Sequence, residues 1–419
     1  MIGLILALVF GAALRAVVNA SGERATTLGR IVMGGYFLRL AIQFVIREIP
    51  FFSHGLGGDS ATYEEFGRMI AASWRNFGFH FVTAEELPLL GPTSLPPNLF
   101  AVLIYANGGE ATQLGCTALV ALAAGLTVLN VFKLSSQFGA ERGTSLLFAS
   151  ILYFQPAFLF YTCDTYKDGL VLCFAIGALG SALRLSQRLS IVHALVGLMC
   201  VAALWYVRFY LVFVAVGPLV VGLAGVGSKN LLRPVAAAVV IATISVALAS
   251  FTDILQMAAD RASQTFEVGT ATYIREANAA GGSGVMFDDG GVPYAALPQK
   301  LAYTVFAPFL WEGGSLGFQL GKVDVLLWYF IIYRAFLAAR QTDRRLLLML
   351  LTFIVPSTLM YAMSMANVGL IVRQRLVIVA ATAILAATYK PKPKAAEQPL
   401  KAGFERPRAA LDRARSSAR

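Results

Sequence analysis

The feature that most constrains this chain is a series of apolar runs, each about as long as a helix that crosses a lipid bilayer. Such a helix needs about 20 predominantly apolar residues, because the hydrocarbon core is about 30 Å thick. Eleven runs fit this description: 2–19, 31–48, 112–132, 144–162, 169–184, 190–207, 209–227, 234–252, 322–338, 346–363 and 376–389. We therefore predict an all-α polytopic integral membrane protein with about 11 transmembrane helices, plus juxtamembrane helices on the outer face.

Composition agrees with a membrane protein and excludes several other classes. Of the 419 residues, 58% are hydrophobic and 14% are charged, whereas about 25% are charged in a typical soluble domain. The four cysteines and three histidines are dispersed without metal-ligand spacing, which argues against a His/Cys metal site and a Cys/His nucleophile. The first run lacks a basic region before it, so we favour a retained first span over a cleaved signal peptide.

Arginine and lysine predict the orientation of the spans. The basic residues between spans gather in alternate connections, and basic connections lie preferentially in the cytoplasm. These connections contain Arg24, Arg30, Lys133, Arg142, Arg184, Arg188, Lys229, Arg233, Arg340, Arg344 and Arg345. We therefore expect a multi-pass protein of the bacterial inner membrane with its N-terminus outside and its C-terminus in the cytoplasm. The long outer loops are then about 49–111 and 253–321.

The last 30 residues form a separate region of different composition. Residues 1–389 are the predicted transmembrane body, and 390–419 are a basic, Pro-containing tail with nine basic and three acidic residues. This tail accounts for +6 of the net charge of +11. A polar tail of this kind is typical of a disordered cytoplasmic segment near anionic membrane lipids. No aromatic residues alternate with a basic surface, so we expect no nucleic-acid partner.

The stretch "GLGGDSATYEEFGRMIAASWR" in the first outer loop carries an unusual density of charge. On a helix, Asp59, Tyr63, Phe66 and Ile70 share one face, which predicts an amphipathic helix on the outer membrane surface. Two interpretations of Asp59 remain open. It is either only the N-cap of this helix, or a functional carboxylate on the outer side.

Basic residues also lie on the outer side, which the positive-inside rule disfavours. Lys167 and Asp168 occur in "YTCDTYKDGL" at a helix start, Arg208 in "LWYVRFYLVF", and Arg373 and Arg375 in "ANVGLIVRQRLVIVAA". Each has a structural alternative: an anchoring lysine, an arginine paired with Asp168, or contact with lipid headgroups. Together they predict a cationic outer cavity that binds lipid-linked phosphate or pyrophosphate.

These segments resemble the glycosyltransferase C superfamily (GT-C), polytopic enzymes that transfer a sugar from a polyprenyl-phosphate-type donor on the outer face of the membrane. The similarity rests on Asp59 and Tyr63 in "GGDSATYEEFG", and on the segments "PAFLFYTCDTYKDGLV" and "NVGLIVRQRLVIVA". It covers the transmembrane body loosely and leaves out the tail. The resemblance implies a GT-C-like fold and a role in cell-envelope or exopolysaccharide biosynthesis.

The resemblance also implies roles for individual residues. Asp59 would be catalytic, either as the general base that deprotonates an acceptor hydroxyl or as a ligand of a divalent cation, Mg²⁺ or Mn²⁺. Tyr63 and Glu65 would position the sugar. The remaining substrate-binding residues would neutralise the leaving phosphate or support those that do: Lys167, Asp168, Arg208, Arg373 and Arg375. The implied partners are a polyprenyl-phosphate-linked sugar donor, a glycan or lipid acceptor, and membrane lipids.

Two other functions are compatible with the same residues. A transporter or flippase of lipid-linked oligosaccharide would also need a cationic cavity, although polar residues near the middle of several spans are expected in a transporter. An assembly or scaffold subunit would use the outer charges only to pair with one another.

Overall fold

The computed structural model describes residues 2–22, 27–48, 59–225, 296–313, 316–364 and 368–391. The predicted span 234–252, most of the loop 253–321 and the tail beyond residue 391 lie outside these residues. Within the described ranges every regular element is a helix. A boundary between two units falls between Tyr389 and Lys390, and all helices described below belong to the first unit.

The described part of the chain contains fourteen α-helices and a 3₁₀ turn at Pro88–Leu90. The first seven helices are α1 (Ile2–Ala20), α2 (Thr27–Glu48), α3 (Asp59–Phe77), α4 (Leu95–Ala106), α5 (Gln113–Gln137), α6 (Arg142–Phe154) and α7 (Pro156–Phe160). The others are α8 (Asp168–Gln187), α9 (Ile191–Arg208), α10 (Tyr210–Ala224), α11 (Leu297–Phe306), α12 (Leu316–Ala339), α13 (Arg344–Ser364) and α14 (Val368–Ala387).

Seven of these helices are long and apolar enough to cross a membrane, by length and composition. They are α1, α2, α5, α8, α9, α13 and α14. The shorter helices α4 and α10 are apolar as well. The 24-residue α12 carries Lys322, Asp324 and Arg334 within its length. The fold is thus that of a helical, membrane-embedded protein, while the total of about 11 spans stays a prediction.

Helix α14 lies at the centre of the bundle. It packs against α5, α6, α8, α12 and α13, and nearly all of its side chains are buried. A helix that is apolar around its whole circumference is expected to lie in the interior, and α14 fits that rule. By contrast, α1 and α9 expose many large apolar side chains, as surfaces that face lipid do.

The predicted span 144–162 is not one helix. It is broken at Gln155, whose backbone is extended (φ −54°, ψ 128°), between α6 and α7. The cause is Pro156, because a proline disfavours helical geometry in the residue before it. The freed N–H of Ala157 donates to both carboxylate oxygens of Asp324 on α12, at 3.0 and 2.9 Å.

Helix α3 packs its apolar face on α4. Its buried residues include Tyr63, Ile70 and Trp74, while Phe66 is only partly buried against the same cluster. The two helices approach closely at Gly67, where an added Cβ would lie 3.1 Å from the side chain of Ile104. The predicted amphipathic helix is therefore present, and part of its apolar face is covered by protein.

Candidate functional site

Four segments that are distant in sequence meet at one end of the bundle. Asp59 is the first residue of α3, Lys167 and Asp168 lie at the start of α8, Arg208 ends α9, and Arg373 lies in the second turn of α14. The contacts among them span as many as 314 residues of sequence. We call these five residues the charge cluster. The starts of α3 and α8, the end of α9 and the second turn of α14 thus lie at the same end of the bundle.

Arg373 joins the two carboxylates of the charge cluster. Its Nε donates to Asp168 Oδ2 at 2.5 Å, and its Nη1 donates to Asp59 Oδ2 at 2.7 Å. The guanidinium also lies over the rings of Tyr161 and Tyr166, 5.3 and 5.2 Å from their centroids. Charged hydrogen bonds and cation–π contacts together hold this side chain, which is only 10% exposed.

Asp168 is the shared counter-ion of two arginines. Besides Arg373, it accepts a longer hydrogen bond from Arg208 Nη2 at 3.4 Å, and its side chain is only 1% exposed. The Arg208 guanidinium lies 6.0 Å from the centroid of the Tyr210 ring. The pairing of Arg208 with Asp168, one of the two alternatives left open by the sequence, is therefore present.

Lys167 is held differently from the arginines. Its Nζ donates to Thr93 Oγ1 at 3.0 Å and lies 5.4 Å from the centroid of the Tyr63 ring. Burial disfavours the ammonium form, and the positive charges of Arg208 and Arg373 add to this effect. Together they lower the pKa of Lys167 to about 7. Its protonation therefore changes within the physiological pH range.

Asp59 is the accessible acid of the charge cluster, with a side chain that is 47% exposed. Burial alone would raise the pKa of this carboxyl group, but the charge and hydrogen bond of Arg373, with Lys167 and Arg208, lower it below its ordinary value. Burial and the nearby Asp59 charge raise the pKa of Tyr63. At neutral pH, Asp59 is therefore a carboxylate beside a neutral phenol.

Three predicted site residues are not members of the charge cluster. Tyr63 borders it through the contact of its ring with Lys167, whereas Glu65 and Arg375 lie away from it. Glu65 is exposed and pairs with Arg68 at 3.5 Å. Arg375 donates to the backbone carbonyls of Val305 and Ala307, at 3.3 and 2.7 Å. Residues two apart on a helix point about 200° away from each other, so Arg373 and Arg375 cannot reach the same place. The expectation that both arginines precede the last span is also wrong, since α14 begins at Val368.

The charges of the cluster leave a positive excess. When Lys167 is protonated, three cations face two carboxylates, and the buried Nη2 of Arg373 has no hydrogen-bond partner among the described residues. In the described part of the chain, no three His, Cys, Asp or Glu side chains gather as metal ligands. The positive charge of the protonated cluster attracts anions.

Sequence reasoning missed two residues that the structure makes prominent. Thr93, the partner of Lys167, lies in a loop with no distinguishing pattern. Asp324 carried a usable signal, because an acid within an apolar helix is rare and is commonly paired.

Comparisons with protein-family models, with curated proteins and with solved structures found no match.

Proposed function

We propose that this protein is a membrane glycosyltransferase that transfers a sugar from a polyprenyl-(pyro)phosphate-linked donor to a glycan or lipid acceptor. The reaction takes place on the outer face of a bacterial inner membrane, in cell-envelope or exopolysaccharide biosynthesis. The observation that carries the proposal is the half-exposed Asp59 carboxylate beside three cations at the end of the bundle. An acceptor hydroxyl and a donor phosphate need these two kinds of group side by side.

In the proposed mechanism the donor phosphate competes with Asp59 for Arg373. Loss of that contact would raise the pKa of Asp59 and make it a better base for the acceptor hydroxyl. The hydroxyl proton passes to Asp59, the oxygen attacks the anomeric carbon, and the bond to the phosphate oxygen breaks with its electron pair. Lys167, Arg208 and Arg373 would stabilise the charge that develops on the phosphate. Direct displacement predicts inversion at the anomeric carbon.

A divalent cation, Mg²⁺ or Mn²⁺, fits the same proposal through one oxygen. Arg373 bonds to Asp59 Oδ2, and Asp59 is the carboxylate that would hold such a cation, which would supply Lewis-acid stabilisation of the leaving phosphate. The phosphate would have to supply further oxygen ligands. Activity before and after treatment with a chelator, followed by return of Mg²⁺ or Mn²⁺, tests this requirement.

The direct test is sugar transfer by purified protein supplied with a labelled polyprenyl-phosphate sugar and an acceptor lipid extract. We expect Asp59→Asn to lower turnover about 10²–10⁴-fold, as loss of a general base does. Arg208→Ala should also lower turnover, through lost charge stabilisation. The matched control is Glu110→Gln, an exposed acid in the same predicted outer loop. If both site variants kept wild-type turnover, the mechanism would be wrong.

Two outcomes would favour the other functions. Counter-flow of lipid-linked oligosaccharide in liposomes, with no new glycosidic bond, would indicate a transporter. The charges of the cluster lie at helix ends rather than at mid-span, which argues for the transferase. Variants of the cluster that change only thermal stability would indicate a scaffold whose charges merely pair.

A further inference from the structure

Lys167 is the cation of the charge cluster that no carboxylate of the described residues contacts within ion-pair distance. Arg373 binds both acids and Arg208 binds Asp168, whereas the partners of Lys167 are a hydroxyl and a ring face. An ammonium group has three N–H donors. After the bond to Thr93, two donors remain for a further acceptor at a partly buried position.

Thr93 fixes the position of this amine. Its hydroxyl donates to the backbone carbonyl of Val207 at 3.4 Å, so its oxygen lone pairs face the N–H of Lys167. Val207 directly precedes Arg208 in α9. Thr93 therefore links the start of α8 to the end of α9, and it sets where the Lys167 amine lies relative to the two arginines.

Binding of an anion would change which protonation state of Lys167 is favoured. Without one, burial and the charges of two arginines disfavour the ammonium form. A tetrahedral oxyanion would place negative charge next to Lys167. Its oxygens would accept hydrogen bonds from the two remaining N–H groups of the ammonium. The N-terminus of α8, which starts at the next residue, adds a positive dipole end on the same side.

We propose that the charge cluster binds a phosphate-class oxyanion together with one proton, which Lys167 takes up from solvent, and that Thr93 is the positioning residue for the Lys167 amine. The step converts a neutral amine and a proton into an ammonium that donates to the oxyanion. This inference deepens the proposed function at the same site, but anion binding itself requires no sugar transfer. The oxyanion is either part of a lipid or free in water, since both present the same oxygens.

The other charged or titratable groups around Lys167 are two acids, a phenol and two guanidinium groups. Asp59 and Tyr63 of α3 have pKa values shifted away from neutrality, downward for the acid and upward for the phenol. The guanidinium groups of Arg208 and Arg373 stay charged. Asp168 is bound by both arginines. A proton taken up on anion binding is therefore assigned to Lys167.

Calorimetry of sulfate binding to the full-length protein in detergent tests the proposal. Sulfate does not change its own protonation near neutral pH, so any proton taken up belongs to the protein. Titrations in buffers of different ionisation enthalpy should reveal uptake of about one proton at pH 8. The affinity should fall about tenfold between pH 6 and 8, because the fraction of protonated Lys167 falls by that factor. Sulfate binding without proton uptake, or no binding, would overturn the proposal.

Three variants identify the residues. Lys167→Arg keeps a charge that does not titrate, so it should bind sulfate with no proton uptake and with a flat pH dependence. Thr93→Val should weaken binding several-fold and shift the pH dependence. Its matched control Thr83→Val should do neither, since the Thr83 hydroxyl accepts the backbone N–H of Glu85 at 3.3 Å and has no other hydrogen-bond partner among the described residues. Unchanged proton uptake in Lys167→Arg would assign the proton elsewhere and overturn the proposal.

Two further comparisons distinguish a lipid phosphate from a free one, and distinguish failure of this inference from failure of the proposed transferase. Farnesyl phosphate in micelles that binds at least about tenfold more tightly than inorganic pyrophosphate supports a lipid phosphate. Equal affinities support a free one. Proton-linked sulfate binding without any sugar transfer would refute the transferase and keep this inference. Sugar transfer without proton uptake would do the reverse.

Discussion

At the scale of single residues, Arg373 and Asp168 organise the candidate site. Arg373 donates hydrogen bonds to two carboxylates, and Asp168 accepts hydrogen bonds from two arginines. The bond between these two residues therefore connects all the ion pairs of the cluster. The two acids differ in exposure: Asp168 is fully buried, whereas Asp59 is half-exposed. We therefore expect Asp168 to determine stability and Asp59 to be available for chemistry.

Substitution of Asp168 tests its role as a counter-ion. Asp168→Asn leaves two buried guanidinium groups without their shared charge, and breaking a buried ion pair destabilises by about 3–5 kcal/mol. Thermal unfolding in detergent should reveal this loss. The control is Asp343→Asn, because the exposed Asp343 accepts the N–H of Arg345 at the start of α13, and asparagine caps helices as well as aspartate. Equal melting temperatures for the two variants would contradict this role.

The pairing of Asp59 with Arg373 predicts a dependence of stability on acid. Since the folded protein lowers the pKa of Asp59, the pair stabilises the fold above the pKa of the unfolded chain. This stabilisation is lost as pH falls through the lowered folded value. A half-exposed pair contributes at most about 1 kcal/mol. The melting temperatures of wild type and Asp59→Asn should differ at neutral pH, and this difference should disappear in acid. A difference that persists at the lowest pH would assign it to another cause.

At the scale of helices, the contact between α8 and α5 places the charge cluster. A Cβ added at Gly169 would lie 2.8 Å from Val120 Cγ1 and 2.9 Å from the Val120 carbonyl oxygen. That carbonyl belongs to the backbone of α5 and cannot turn aside. The start of α8, which carries Asp168, therefore depends on a residue without a side chain at position 169.

Gly169→Ala should move the start of α8 away from α5 and destabilise the protein by about 1–3 kcal/mol, as overpacking does. Anion binding at the charge cluster should weaken in the same variant. The matched control is Gly143→Ala in α6, where a Cβ meets nothing within 4 Å and alanine favours the helix by as much as about 1 kcal/mol. A Gly169→Ala protein as stable as this control would show that α8 and α5 accommodate the added methyl group without loss of stability.

At the scale of the whole molecule, the orientation in the membrane is the main prediction. The test uses single cysteines that replace Glu85 or Arg188 in a cysteine-free background. These two positions lie in connections predicted on opposite sides of the membrane. An impermeant maleimide added to intact spheroplasts should label the cysteine at position 85 and spare position 188 until the membrane is permeabilised. The positive-inside rule is the physical reason. The reverse labelling would invert the topology and place the charge cluster in the cytoplasm.

Several parts of the structure were predictable from local pattern alone. The helices α5, α9 and α13 follow apolar runs whose length needs no knowledge of neighbours. The break at Pro156 was also readable from sequence, although a single helix over 144–162 was predicted. Arg375 was grouped with Arg373 by charge, and helical geometry alone would have separated them.

The sequence by itself determined a helical membrane protein, because bilayer thickness acts on each segment separately. The sides on which its charged residues lie stay a prediction from the positive-inside rule. Only the tertiary structure decided which charges meet. Asp59 and Arg373 are 314 residues apart, and their contact depends on how α3 and α14 pack. The same packing leaves Lys167 with Thr93 instead of an acid. Side-chain partners across such separations follow from three-dimensional packing, which periodicity in sequence does not specify.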